Sequence, residues 1–291
     1  MRAITLLIVM LVACLFAGPA MARCTQQSLR IAVIPKKSME TLLQEQKPLI
    51  ERLSDVTGMP VEIVPSSSYE SVVDAIVSGG VDIAWLGPAS YVLADQRDPR
   101  IEPFASLTIS RGYFTPAGHH YQALLLARKE LVGDIGALRG KRVILTDPAS
   151  TSGSVVPNAE FSRRIGQPLS QFFGAVVYSG SHDKSLDALL EKKVEAAFVS
   201  SVRADAYLNA AKIERDTFSV LWRSEPIYYD PFVFRGGLCE ALKQRVRDAM
   251  LNDQHALSTF LESQEASAIV PVSRAEYAPL FNAMTASAAD K

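Results

Sequence analysis

The segment Ser66–Leu86 (SSSYESVVDAIVSGGVDIAWL) lies over Ser179–Val199 (SGSHDKSLDALLEKKVEAAFV) at a constant offset of 113 residues, without a gap. Ser66/Ser179, Ser68/Ser181, Asp74/Asp187, Ala75/Ala188, Val81/Val194 and Ala84/Ala197 are identical, and the same offset carries Pro35 onto Pro148. Any two amphipathic helix–strand units share some likeness. An ungapped register through turn, helix, turn and strand points instead to an internal duplication.

The surrounding periodicity alternates strand and helix. Ser28–Pro35, Val61–Val64 and Val81–Leu86 read as strands, with helices over Leu42–Val56, ending at Gly58, and Glu70–Val77. In the second copy, Lys141–Leu145, Ala175–Tyr178 and Val194–Val199 read as strands, with helices over Ser154–Ile165 and Leu186–Lys192. Apolar strands alternating with helices predict parallel sheets covered on both faces. Gly237–Ser263 reads as one or two helices packing on the first lobe.

Two similar α/β lobes imply a cleft between them, and ligands of such sheets sit outside the carboxyl ends of the strands. The duplicated turns Ser66–Tyr69 and Ser179–His182 fall there. Tyr69 and His182 hold the same position in the two copies, each just before a helix. Facing turns of this kind would grip a ligand from both sides.

Composition narrows the ligand's setting. With 30 basic against 31 acidic side chains, the chain lacks the basic footprint of a nucleic-acid binder. Arg2, the apolar run Ala3–Ala17 and Gly18-Pro19-Ala20-Met21-Ala22 have the layout of a secretory signal over residues 1–22, cleaved after Ala22. Leu11-Val12-Ala13-Cys14 offers a lipoprotein alternative that the apolar continuation past Cys14 disfavours. The expectation is an exported protein. Cys24 and Cys239 would then meet an oxidising compartment and either pair or remain as two buried thiols.

Asp147-Pro148-Ala149-Ser150-Thr151-Ser152-Gly153 follows a strand and opens a helix. Free N–H groups and the positive end of the helix dipole favour an anion there, and three hydroxyls exceed what capping alone needs. In the first lobe, Gly87-Pro88-Ala89-Ser90-Tyr91 is a turn into a helix from which Ser90 and Tyr91 could donate into the cleft. His182 lacks partners for a zinc set, and the other histidines, His119, His120 and His255, assemble none. Ser152, His182 and Asp230 lack a G-x-S-x-G elbow, and the S-x-x-K match at Ser181–Lys184 lacks its companion motifs. No glycine-rich nucleotide loop is present. These absences favour binding without turnover, with no cofactor and no metal.

These residues resemble the periplasmic substrate-binding proteins of ABC transporters for phosphonate, phosphite and phosphate. The resemblance covers essentially all of the exported chain. It is carried by VDIAWLGPASYV, DPASTSGSVVPNAEF, GSHDKSLDALLEKKVEAAFV and SEPIYYDPFVFR. It implies the type II, Venus-flytrap fold: two α/β lobes, each a mixed, mostly parallel sheet flanked by helices. Lobe 1 would span residues 23–118 and 226–291 and lobe 2 residues 119–225, with hinges near His120–Leu125 and Val220–Ile227. It also implies that Ser150, Thr151, Ser152, Tyr69, Tyr91 and His182 hold the ligand's oxygens. Asp230 matches an acidic position that meets the ammonium of aminoalkylphosphonates. The other acidic position falls where this chain has Ser200-Ser201. A carboxylate missing there would weaken an ammonium contact by roughly 1.5–3 kcal/mol, which favours phosphite, methylphosphonate or phosphate over 2-aminoethylphosphonate.

The expected function is capture of such an oxyanion by lobe closure and delivery by a monomer to an ABC permease in the inner membrane. A second reading is a ligand-sensing periplasmic module serving a separate signalling protein. A third, an exported hydrolase, requires turnover.

Overall fold

A computed structural model describes residues 24–131 and 134–289; the expected signal over residues 1–22, with Cys14, lies outside the described residues. The strands are β1 (Leu29–Val33), β2 (Val61–Ile63), β3 (Ile83–Trp85), β4 (Glu102–Ile109), β5 (His120–Tyr121), β6 (Ala123–Arg128), β7 (Arg142–Leu145), β8 (Ala175–Tyr178), β9 (Ala196–Ser200), β10 (Phe218–Arg223), β11 (Ile227–Tyr228), β12 (Phe232–Phe234) and β13 (Ala266–Pro271). They form one sheet in the order β13-β4-β12-β3-β1-β2, a second in the order β10-β6-β9-β7-β8, and a two-stranded ribbon of β11 and β5.

Each sheet has a parallel half. β1 pairs in parallel with β2 and β3, and β7 does the same with β8 and β9. The next strand in each sheet, β12 or β6, has just come through the ribbon from the other lobe and runs antiparallel. The chain changes lobe at β5 and β11, where Tyr121 pairs with Ile227 and His120 with Tyr228.

The duplication is visible in the elements themselves. β1 and β7, β3 and β9, helices Tyr69–Val77 and His182–Leu190, and helices Pro88–Arg97 and Ser201–Asn209 each begin 113 residues apart. Gly79 turns the first copy at φ 74°, and Lys192, at the equivalent place, adopts φ 58° despite carrying a side chain.

Strand alternation divides the first lobe's core. Leu29, Ile31 and Val33 face helices Met39–Thr57 and Glu240–Leu251, while Ala32 and Ile34 face helices Tyr69–Val77 and Pro88–Arg97. Ser38 caps the first of these helices, and Gly58, at φ 67°, ends it. Cys24 and Cys239 form a disulfide, with Cα atoms 5.6 Å apart, that ties the chain near its described start to the N-cap of helix Glu240–Leu251. Among the described residues no helix is long and apolar enough to cross a membrane.

One element departs from the sequence reading. The helix expected over Ser154–Ile165 begins at Thr151 and is π-helical through Thr151–Val155 and Pro157–Phe161, becoming α-helical only over Ser162–Ile165. Pro157 supplies the reason: it has no N–H for the carbonyl four residues back, and its ring would crowd that carbonyl. The Gly153 carbonyl turns outward instead and accepts from Thr146 N–H at 3.1 Å. The wider coil leaves Val155 N–H bonded to Ser150 O at 2.9 Å.

Candidate functional site

Between the lobes lies a cavity of about 20 Å³, lined by Ile34, Lys36, Tyr69, Gly87, Tyr121, Ser150, Thr151, Ser152, His182, Ser200, Val202, Arg203, Tyr229 and Asp230. Sites for drug-sized ligands run to hundreds of Å³; this one suits a single small ion. Tyr69 opens its helix behind the N-cap Ser68, and His182 opens the equivalent helix behind Ser181.

Three hydroxyls from one helix start have separate tasks. Ser150 Oγ caps the helix by accepting from Gly153 N–H at 3.2 Å. Thr151 Oγ1 accepts from Ala89 N–H of the other lobe at 2.8 Å. Each oxygen, having accepted, keeps its own proton for a guest. Ser152 lines the cavity with Tyr121, whose hydroxyl interacts with Thr151 and Ser152. The lobes approach this closely because residue 87 is glycine: a Cβ there would stand 3.2 Å from Thr151 Oγ1.

Tyr69 Oη is buried beside Ser150 but makes no hydrogen bond of normal geometry. A buried hydroxyl left unpaired costs about 1–3 kcal/mol, so it is placed to meet a guest's oxygen. Burial first, and then the negative charge of Asp230, lift the Tyr69 and Tyr121 phenols well above their usual range. Both remain donors.

His182 is the remaining donor. Its Nδ1 accepts from Ser200 N–H at 3.2 Å, with Thr146 Oγ1 at 3.1 Å, while Nε2 lies 3.4 Å from Ser150 Oγ. Burial, then the charges of Arg203 and Lys36, push its pKa down to about 3. The ring is therefore neutral, with its proton on Nε2, which points toward the hydroxyl cluster.

The charges beside the cavity are paired. Lys36 Nζ lies 3.1 Å from Asp230 Oδ2, both side chains nearly inaccessible. Arg203 forks onto Asp183 at 2.8–3.2 Å. Burial raises the Asp230 pKa, and Lys36 opposes that rise. Six neutral donors, from Tyr69, Tyr121, Ser150, Thr151, Ser152 and His182, thus converge on one small space. Preorganised neutral dipoles in a dry site hold an anion well.

Two expected ligand residues are placed elsewhere. Tyr91 lies in the lobe 1 core, its hydroxyl directed to Asp95 Oδ1 at 3.4 Å and its ring edge-on to Tyr277 and Phe281. Ser90 is buried and donates across the lobe boundary to Ala149 O at 3.0 Å. Both are one helical turn from Gly87, and that turn directs Tyr91 inward and Ser90 to the facing lobe. The second phenol on the cavity is Tyr121, from β5. Sequence reasoning missed it, along with Tyr229, Lys36 and Arg203. Lys36 had a usable signal: it follows the carboxyl end of β1, where such sheets bind ligands. Ser200 meets the cavity and fixes His182 through its backbone. Among the described residues, no group of three or more His, Cys, Asp or Glu side chains could hold a metal ion.

The chain is 25% identical over 273 residues to a phosphate-import protein of Mycolicibacterium smegmatis, covering 86% of this chain and 83% of that one. It is 26% identical over 239 residues to the phosphonates-binding periplasmic protein of Escherichia coli, covering 81% and 69%. Its fold matches a binding-protein component of a Pseudomonas aeruginosa ABC phosphonate transporter, with a TM-score of 0.78 at 22% identity and coverage of 89% and 86%. A Prochlorococcus marinus protein solved in complex with methylphosphonate gives a TM-score of 0.75 at 18% identity, with coverage of 88% and 97%. Residues 31–277 match the model of the phosphonate periplasmic substrate-binding proteins of ABC transporters, and the chain belongs to that family.

Proposed function

We propose that this protein captures a small phosphorus oxyanion (phosphite, an alkylphosphonate or phosphate) between its lobes and hands it to an ABC permease. The observation that carries the reading is the convergence of six neutral donors on a cavity of about 20 Å³. The phosphate-import relative and the methylphosphonate complex of the Prochlorococcus protein support the ligand class. Family members are transport substrate-binding proteins rather than enzymes.

Capture works by closure. Lobe 2, residues 119–225, rotates as a body against lobe 1 about β5 and β11. The guest favours the closed form because only there do Tyr69 from lobe 1 and Ser150, Ser152 and His182 from lobe 2 reach it together. The protein acts outside the cytoplasm, as a monomer, after removal of residues 1–22. Charge-assisted donors in this number support micromolar affinity, about −8 kcal/mol.

Titration calorimetry with phosphite, methylphosphonate and phosphate tests the reading. Saturable one-to-one binding, lost when Ser152 and Tyr69 are replaced together by Ala and Phe, is expected. Absence of binding to all three anions would end it.

A further inference from the structure

Asp230 is an unusual neighbour for an anion. Its backbone carbonyl is held by Trp85 Nε1 at 3.2 Å and by Ser106 Oγ at 3.1 Å, which fixes its main chain at the cavity wall. A buried carboxylate beside a captured anion needs a cation, either from the protein or from the guest. Here the protein provides one. Lys36 Nζ sits 3.1 Å from Asp230 Oδ2, 4.0 Å from the centre of the Trp85 ring and 5.6 Å from that of Tyr229. Two aromatic faces and a carboxylate make a complete ammonium-binding pocket, and it is filled by the chain's own side chain. Lys36 also forms part of the wall of a wider interlobe chamber of about 460 Å³, so a substituent leaving the inner cavity on that side passes its ammonium.

We propose that Lys36 is the specificity-determining residue of this site: its ammonium occupies the place at Asp230 that a cationic ligand group would need, so the cavity takes phosphorus oxyanions with neutral or no substituents and excludes aminoalkylphosphonates. This deepens, and rests on, the phosphorus-oxyanion reading. The exclusion has two parts. Asp230 is already paired, and a second ammonium would stand against the Lys36 charge.

Calorimetry of wild type, Lys36→Met and Asp230→Asn with methylphosphonate and with 2-aminoethylphosphonate, at one ionic strength, tests it. Wild type binds methylphosphonate at least about tenfold more tightly than the amino compound, the size expected for one charged contact. Lys36→Met weakens methylphosphonate and shifts the ratio toward the amino compound by about tenfold or more, because Asp230 is then free to meet its ammonium. Asp230→Asn acts oppositely: with the carboxylate's charge gone and the Lys36 ammonium left unpaired beside the anion, methylphosphonate is held more tightly, and the amino compound gains nothing. If Lys36→Met does not fold, Asp230→Asn carries the test, and loss of methylphosphonate binding in that variant overturns the proposal. An unchanged ratio in folded Lys36→Met, or a wild type that binds both ligands equally, overturns the Lys36 assignment while leaving the functional reading intact. A wild type that binds no phosphorus oxyanion removes the functional reading and the Lys36 assignment together.

Discussion

The backbone N–H of Ser200 points at Nδ1 of His182 from 3.2 Å. A backbone N–H only donates, so Nδ1 must present a lone pair, and a neutral ring then carries its proton on Nε2. The helix start at Ser201 thereby sets the chemistry of a side chain in a different helix. Replacing His182 by Gln keeps an amide donor near the Nε2 position, whereas Asn keeps one only near Nδ1. In calorimetry with methylphosphonate, His182→Gln is expected to retain most of the affinity. His182→Asn should lose about 1.5–3 kcal/mol, the range for a hydrogen bond to a charged group. Equal losses would mean that Nε2 does not meet the guest.

The same burial makes His182 an acid-sensitive point. Its folded pKa is about 3, against about 6.5 in an unfolded chain. Between those values the unfolded state binds the extra proton, so this residue's contribution is full above about 6.5 and is lost as pH falls toward 3. At pH 5 the deficit relative to pH 7 is on the order of 2 kcal/mol. Urea midpoints at the two pH values should fall further for wild type than for His182→Gln. Parallel falls would show that the ring is not buried as a neutral base.

Ser90 separates closure from contact. It is not on the cavity wall, yet its hydroxyl joins the lobes through Ala149 O. Ser90→Ala should reduce methylphosphonate affinity through the closed form alone, by about 0.5–1.5 kcal/mol. Thr151→Val removes both the bond from Ala89 N–H and a donor to the guest, and should cost more. Small-angle scattering with saturating ligand would show the same compact form for Ser90→Ala as for wild type. An affinity unchanged by Ser90→Ala would mean that this bond plays no part in closure.

What was legible in the sequence was whatever the duplication or a local pattern encoded. The offset that matched Tyr69 to His182 in the sequence holds in the structure for the starts of helices Pro88–Arg97 and Ser201–Asn209 as well, and the hydroxyl trio announced itself as a helix start. Long-range partners were hidden. Lys36 and Asp230 are separated by 194 residues, and only the fold brings their side chains together. Tyr91 and Tyr121 differ only in which way their elements turn them. Pattern sees the residue type but not its direction, so the lobe 1 core took one phenol and the cavity the other. The π-helical start was likewise invisible, because it depends on Thr146 claiming the carbonyl that Pro157 cannot use.

Gly153 is where that arrangement is most tightly fitted. A Cβ at this position would lie 2.2 Å from Thr146 Oγ1 and 2.9 Å from Ser150 Oγ. Thr146 contacts His182, and Ser150 is one of the donors, so strain at Gly153 reaches two ligand groups at once. Gly153→Ala should lose binding by tenfold or more, about 1.4 kcal/mol, even though it removes no polar atom. Gly153 is not among the glycines at positive φ, so the cost of the added carbon is steric rather than conformational. Normal binding by Gly153→Ala would show that the helix start can shift without consequence.

The Cys24–Cys239 bond closes a separation of 215 residues, so its loss would return a large conformational freedom to the unfolded chain. Chain-entropy arguments put such a loop at roughly 5.4 kcal/mol, and measured disulfides usually deliver about 2–5. The bond lies at the N-cap of helix Glu240–Leu251, on the core of lobe 1, and neither cysteine lines the cavity. Stability and binding should therefore come apart. Replacing both cysteines by Ser is expected to lower the unfolding free energy in urea by that amount, while calorimetry at 25 °C gives a methylphosphonate affinity within about twofold of wild type, since less than 0.5 kcal/mol separates the two. A variant that kept its stability would mean that the packing of helix Glu240–Leu251 alone secures the N-terminal strand. One that lost affinity with its stability would mean that lobe 1 transmits the constraint from helix Glu240–Leu251 through β1 to Lys36.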